Sequence, residues 1–368
     1  MEEIPLELFI NAVLSNYSLE NSSYTDNLFE NDESLPYYGE YLARFQSQYI
    51  LYHGYLTLAF CIFGITANIL NIIVLTRRKM ISPTNAILTG IAVADMLVML
   101  SYLPYTFHTY IRTEISDIER YSYGWTLFTL FHSLFTVVCH TISTWLTVTV
   151  AIWRFLFISF PQNASIWCSM FRAKWAIAMT YVFSAIFCIP IYLTFTVYVF
   201  KSTAGDIMYR VDFSEIASQH NRLLEKTNFW IFSVITKLVP CVALTGISLG
   251  LIKVLYERNK RRQILKGSAN NDKHHDRTTR MLLAVLLLFL FTEFPAGLLS
   301  LLSGILGSDF HQHVYMNVGE VMDALAMINS AINFIIYCSM SQQFRNTFAL
   351  MFFPRFFKTA LHSVTASV

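Results

Sequence analysis

Residues Trp125 to Phe157, WTLFTLFHSLFTVVCHTISTWLTVTVAIWRFLF, decide the fold. The stretch is apolar and exceeds the roughly 20 residues a helix needs to cross a bilayer. It also carries His132, Thr136, His140, Ser143, Thr147 and Arg154 at steps close to three and four, which puts them on one helical face. A polar stripe of that depth cannot face lipid, because polar groups away from water need partners. Other helices must therefore surround this one. Its two ends and its middle present different chemistry: histidines near one mouth, a serine at mid-depth and an arginine at the other mouth.

Composition agrees. The 368-residue chain is 55% hydrophobic and 14% charged, with a net charge of +2, where soluble domains carry about 25% charged residues. The expected class is an all-α membrane protein, and nothing in the charge calls for a nucleic-acid partner. The first residues, MEEIPLELF, are acidic and lack the apolar core of a secretory signal, so the first span is expected to act as its own insertion signal. The six cysteines (Cys61, Cys139, Cys168, Cys188, Cys241 and Cys338) follow no disulfide or metal-cluster spacing.

Residues 1–49 form an acidic stretch with sequons at Asn16 and Asn21. It reads as a solvated, glycosylated extracellular tail whose charge would also attract a cationic ligand. Apolar spans follow at 50–76, 84–111, 123–157, 173–199, 227–257, 278–305 and 314–339, so residues 50–340 make a seven-helix domain. Basic residues cluster after span one (Arg77, Arg78, Lys79), before span four (Arg172, Lys174) and between spans five and six. The positive-inside rule then places the N-terminus outside and the C-terminus in the cytosol, which leaves the sequon at Asn163 in a cytosolic loop. Alternating apolar residues around Thr203-Ala-Gly-Asp206 predict a hairpin over the outer mouth. Phe344, Phe348 and Phe352 predict an amphipathic helix on the inner membrane face within residues 341–368. The chain shows no internal repeat, which disfavours an inverted-repeat transporter.

Charges within spans are functional candidates. Asp95 in span two, with Asn68, Ser143, Asn329, Ser330 and Asn333 at similar depth, offers one carboxylate and several neutral oxygens. That set suits a sodium-like monovalent cation; the alternative is a network that only packs the helices. Glu293 precedes Pro295 and Lys237 precedes Pro240. An unpaired charge at such depth is unfavourable, so Lys237, Glu293 and His140 are expected to share a site, unless Glu293 is left to receive a basic group of a ligand. Glu320 and Asp323, one turn apart near the outer mouth, read as the acidic side of a ligand pocket. His311 and His313 read as solvated loop residues. No HExxH, GxSxG or Walker motif occurs, so an enzyme has no positive support.

Asn68, Asp95, Arg154, Pro240, Pro295 and Tyr337 resemble the landmark residues of rhodopsin-like G-protein-coupled receptors. The segments YSYGWTLFTLFH, HTISTWLTVTVAIWRF, TEFPAG and NSAINFIIYCSMSQQFR are similar to invertebrate myosuppressin and FMRFamide-like peptide receptors, and in part to a nematode-type chemoreceptor group. The resemblance covers about residues 50–353. It implies an amidated Arg-Phe-amide neuropeptide as agonist and a heterotrimeric G protein, most often of the inhibitory class, as partner. It places His132, Thr136, His140, Glu293, Glu320 and Asp323 around the peptide, with Phe135, Phe232 and Phe289 as an aromatic floor. It gives Phe289 and Pro295 to the switch, and Arg154 and Tyr337 to G-protein coupling. Departures are specific. Trp153-Arg154-Phe155 replaces the acidic-Arg-Tyr motif, Glu293-Phe294-Pro295 replaces Trp-x-Pro, and Tyr181 stands at the usual tryptophan of span four. Thr129 occupies the usual outer cysteine, and residues 191–240 contain no cysteine, so the hairpin is expected to be held by packing alone. The second reading is a chemoreceptor for an environmental molecule; a transporter or channel is third.

Overall fold

The computed structural model describes residues 37, 39–202, 205–218, 223–265, 273–306 and 308–353. The side chains of Phe232, of Phe289 and of residues 258–286 lie outside that description, as do the acidic tail with Asn16 and Asn21 and the residues after 353. The bundle comprises α1 (Gly39–Leu75), α2 (Pro83–Thr106), α3 (Tyr123–Ser159), α4 (Met170–Phe187), α5 (Val239–Leu265), α6 (Lys273–Leu306) and α7 (Gly319–Met340), followed by a shorter α8 (Gln342–Phe352). Six described helices are long and apolar enough to cross a membrane, and α6 adds a described apolar stretch at Leu290–Leu306. The chain is a multi-pass, seven-helix membrane protein.

Helix boundaries follow local chemistry. Ser82 caps α2 by accepting the Asn85 N–H at 3.2 Å, with Pro83 at the first helical position, where its missing N–H costs nothing. Ser341 ends α7 and caps α8 by accepting the Phe344 N–H at 3.2 Å. Several helices outrun their apolar spans: α1 begins at Gly39 and α6 at Lys273. Hydropathy marks where lipid would end, whereas the backbone ladder continues through polar residues. The fourth span errs the other way. Its helical path ends at Thr194, and the expected span residues 195–199 belong to a strand, because the run FTVYVF is β-branched and aromatic.

That strand, β1 (Phe195–Lys201), pairs antiparallel with β2 (Ile207–Phe213) from Phe195↔Phe213 to Lys201↔Ile207. Gly205 in the turn has φ +91°, a conformation open to glycine and strained for other residues. The hairpin is held by more than packing, contrary to expectation. The Tyr209 N–H donates to the Tyr121 carbonyl at 2.9 Å, and the Thr126 hydroxyl donates to the Tyr209 carbonyl at 3.0 Å. A backbone anchor just before α3 and a side-chain anchor near its start thus stand near the place where a disulfide is usual, and the six cysteines are unbonded. Thr126→Val is expected to remove one bond, worth about 1 kcal/mol, and to speed amide exchange across β2; unchanged exchange would contradict this anchor.

Helix α3 is central, packing against α2, α4, α5 and the hairpin. Ile87, Ile91, Ile142, Leu146 and Trp153 form the α2–α3 core with Ala173 of α4, and the Tyr181 hydroxyl donates to the Gly90 carbonyl at 3.0 Å. On the other side Val148 and Ala151 meet Cys241 and Leu244. The Met99 side chain of α2 packs directly over Gly64 of α1, where a Cβ would lie 2.1 Å from the Met99 sulfur and would displace it. In α8, Phe344 is buried with Tyr337 and Leu75, while Phe352 is exposed. The phenylalanine face therefore docks partly onto α7.

Candidate functional site

Helix α5 is preceded by a π-helical segment, Ile231–Leu238. Pro240 lacks the N–H that a regular turn there needs, and the widened turns carry Lys237 toward α6. Gly297 of α6 lies against it: a Cβ at that position would be in ordinary contact, 3.5 Å from the Lys237 Cβ. One turn away in α6, Glu293 accepts a hydrogen bond from Lys237 Nζ at 2.9 Å through its Oε2. His140 Nε2 of α3 stands 3.0 Å from the same oxygen and 3.1 Å from Nζ. The structure thus joins α3, the π segment and α6 through Lys237, Glu293 and His140. The Glu293 side chain is 2% exposed, against 12% for Lys237 and 15% for His140, so the triad is not sealed from its surroundings. The second carboxylate oxygen, Oε1, is buried without a partner among the described residues.

Toward the hairpin end, Glu320 is buried and accepts the Gln46 amide of α1 at 3.2 Å. Asp323, one turn on, has the Tyr102 side chain of α2 beside it. Tyr49 lies within electrostatic reach of both carboxylates. Among the described ion pairs neither acid has a cationic partner. Asp323 is nonetheless within electrostatic reach of Lys237 and His140.

Other residues expected around a ligand are placed differently. His132 is buried, with Nδ1 2.7 Å from the Ser101 hydroxyl and its ring stacked on Tyr105 at 4.4 Å. It is a satisfied core histidine between α2 and α3, because the α2 tyrosines close over it. The Thr136 hydroxyl donates back to the His132 and Ser133 carbonyls at 2.8 and 3.0 Å and presents no free donor. Phe135 stacks on the exposed Phe131 at 5.2 Å. Five residues at about 100° each carry Phe135 some ~140° around α3 from His140, away from any floor of the triad. His311 is 3% exposed and stacks on Tyr315 at 4.8 Å, so it is not the solvated loop residue expected; helical structure runs on through this segment. The floor assigned to Phe232 and Phe289 falls outside the described side chains.

At mid-depth Asp95 is buried. Ser143 donates to its Oδ1 at 2.7 Å and Asn333 to its Oδ2 at 3.3 Å, and Ser330 also reaches the carboxylate. Asn68 donates to the Gly64 and Ser330 carbonyls at 3.0 Å each, leaving its Oδ1 buried without a partner. No described hydrogen bond joins Asn329 to this cluster; one residue's rotation turns it away while Ser330 faces in. At the opposite end from the hairpin, Arg154 has a buried, unpartnered Nε and makes no described ion pair. It lies within electrostatic reach of Tyr337, whose ring is 5.7 Å from Phe344. Trp153, at the place of the usual acid, is packed into the core.

Gln46, Tyr49 and Tyr102 were not singled out in the sequence. For Tyr102 a signal existed: it follows Asp95 by seven residues, two turns along the same face of α2.

A seven-helix bundle with a polar region near its hairpin end, a mid-depth carboxylate and an arginine at the other end has the architecture of a serpentine signalling receptor. The profile of the family described as serpentine type 7TM GPCR chemoreceptor Srw matches residues 55–355. The chain belongs to this family of G-protein-coupled receptors and is not an enzyme. It is 32% identical to the G-protein coupled receptor dmsr-1 of Caenorhabditis elegans, over 84% of this chain and 70% of that protein. The sex peptide receptor of Drosophila melanogaster is 27% identical, over 82% of this chain and 73% of the relative. The FMRFamide receptor of Drosophila melanogaster is 23% identical, over 80% of this chain and 52% of the relative.

Proposed function

We propose that this receptor binds a short amidated neuropeptide ending in Arg-Phe-amide and passes that signal to a heterotrimeric G protein of the inhibitory class. The observation that carries the reading is the pair Glu320 and Asp323, one turn apart, the first buried and the second partly buried, with Tyr49 in electrostatic reach and no cationic partner among the described ion pairs. A guanidinium is the group such a site lacks, and the surrounding rings suit a phenylalanine. Relatives that bear peptide-receptor names point the same way. The basic linkers put the N-terminus outside and the C-terminus in the cytosol of a plasma-membrane protein, with Asn16 and Asn21 glycosylated. Challenging receptor-expressing cells with a panel of amidated peptides, while reading cyclic AMP and calcium, tests the reading. A fall in cyclic AMP with Arg-Phe-amide peptides is expected; silence toward every peptide would contradict it. Silence together with a response to environmental small molecules would favour the second reading, a chemoreceptor, which the family description supports.

Peptide binding shifts an existing equilibrium toward a state with a cytoplasmic cleft. In this account α6 pivots near Pro295 while Phe289 repacks, and Arg154 and Tyr337 meet the G protein. Because no described acid restrains Arg154, appreciable ligand-independent signalling is expected. A receptor silent at high expression would contradict that.

Asp95, with Ser143, Ser330, Asn333 and the unpartnered Asn68 Oδ1, fits a small monovalent cation: one carboxylate and neutral oxygens. Sodium there would compensate the buried charge and favour the resting packing. Agonist affinity is expected to fall with added sodium in the wild type and to become insensitive in Asp95→Asn. An unchanged sodium response in the variant would remove the site.

A further inference from the structure

Three carboxylates, Glu293 and Glu320 buried and Asp323 partly buried, lie in the polar region between α1, α3, α6 and α7, and they are not equivalent. Glu320 accepts from the neutral Gln46 amide, while Asp323 has Tyr102 beside it and feels Lys237 and His140 without forming an ion pair among the described residues. Glu293 already has Lys237 at 2.9 Å and His140 at 3.0 Å, both on Oε2. Its charge is balanced, yet Oε1 stays buried with no donor among the described residues. A buried carboxylate oxygen left unpaired is costly, so this oxygen asks for an N–H or O–H and for no further charge.

We propose that Glu293 Oε1 receives the terminal carboxamide of the peptide agonist and is the residue that distinguishes an amidated C-terminus from a free acid. The inference rests on the peptide reading above. Three end groups are distinguishable by chemistry. A guanidinium or amine would set a second cation beside Lys237 against one carboxylate, and its better sites are Glu320 and Asp323. A free carboxylate has no proton to donate and would bring a second anion against Oε1, while Lys237 is already engaged. A primary carboxamide supplies two N–H donors and no charge, which is what the balanced Lys237–Glu293 pair with one open oxygen lacks. The positions also agree: with arginine held by the α7 acids, the next residue's amide is the part of the peptide left to reach α6. Lys237 and His140 keep 12% and 15% of their side chains exposed against 2% for Glu293, so in this proposal the peptide end group reaches Oε1 past those two residues.

The test compares the amide and free-acid forms of one activating Arg-Phe peptide on the wild type, on Glu293→Gln and on Lys237→Met/Glu293→Gln, at matched surface expression. The double variant keeps the buried charge balanced, so a folding failure of the single variant does not end the experiment. The wild type should favour the amide by about 10–100-fold, the worth of one hydrogen bond to a charged acceptor. Both variants should lose most of that ratio, chiefly because the free acid gains. A ratio that stays at its wild-type value in the double variant would overturn the assignment while leaving the peptide reading intact. A wild type that answers neither form would overturn the peptide reading itself and this inference with it.

Discussion

Lys237→Met destabilises the receptor by about 3–5 kcal/mol, the usual cost of stranding a buried charge by removing its partner. Glu293 is 2% exposed and takes its hydrogen bonds from Lys237 and His140. With the ammonium gone, the carboxylate keeps only an imidazole, and three helices lose a common tie. The effect appears as a lower midpoint of thermal unfolding in detergent and as reduced surface expression. Lys237→Met/Glu293→Gln should recover most of the loss, because removing both charges also removes the desolvation each one suffers. A single variant as stable as the wild type would show that Lys237 is not the partner Glu293 depends on.

Charge reversal at the acidic pair has the largest expected effect on signalling. Asp323→Lys or Glu320→Lys places a cation where the peptide's arginine is to bind. Truncating one partner of a buried charged pair costs about 2–5 kcal/mol, so reversal should shift potency for an Arg-Phe-amide peptide by about 100-fold or more. Glu320 also accepts the Gln46 amide and Asp323 has Tyr102 beside it, so both variants need a check of surface expression. Two reversed receptors with wild-type potency would move the cationic anchor away from α7 and leave Glu293 as the alternative acceptor.

What the sequence discloses follows from the range of the forces involved. Seven apolar spans and the hairpin at Thr203–Asp206 are local patterns, and each could be read from spacing. The sharing of one site by Lys237, Glu293 and His140 was also legible, because isolated charges in lipid-depth segments have few acceptable outcomes. The same holds for Asp95 beside Ser143 and Asn333, since few polar residues lie at that depth. What the sequence concealed was the direction of side chains that have a choice. His132 and Thr136 sit on the polar stripe, yet one turns to Ser101 and the other back to its own helix. A hydroxyl can always satisfy itself on the backbone one turn earlier, so a threonine at helical spacing is weak evidence for a pocket. Phe135 was ambiguous for a related reason: an aromatic fits lipid as well as it fits a ligand. The anchors of the hairpin, Thr126 and the backbone of Tyr121, were hidden because they join residues more than 80 positions apart in the chain. The end of the fourth span was misplaced because apolar β-branched residues score as bilayer whether they form a helix or a strand.

The inner end carries the same lesson in another form. The substitution of Trp153 for an acid was plain in the sequence. That it leaves Arg154 with a buried Nε and no described ion pair needed the packing of Trp153 between α2 and α4.

The central claim is that the acidic pair on α7 binds the cation of a peptide. A double-mutant cycle across the receptor and the ligand tests it most directly: potency of an Arg-Phe-amide peptide and of its citrulline analogue, on the wild type and on Asp323→Asn. If the guanidinium meets Asp323, neutralising either partner costs potency, and neutralising both costs little more than one, giving a coupling within the 0.5–3 kcal/mol range typical of contacting groups. Losses that simply add, within about 0.5 kcal/mol, would contradict the contact and the account built on it.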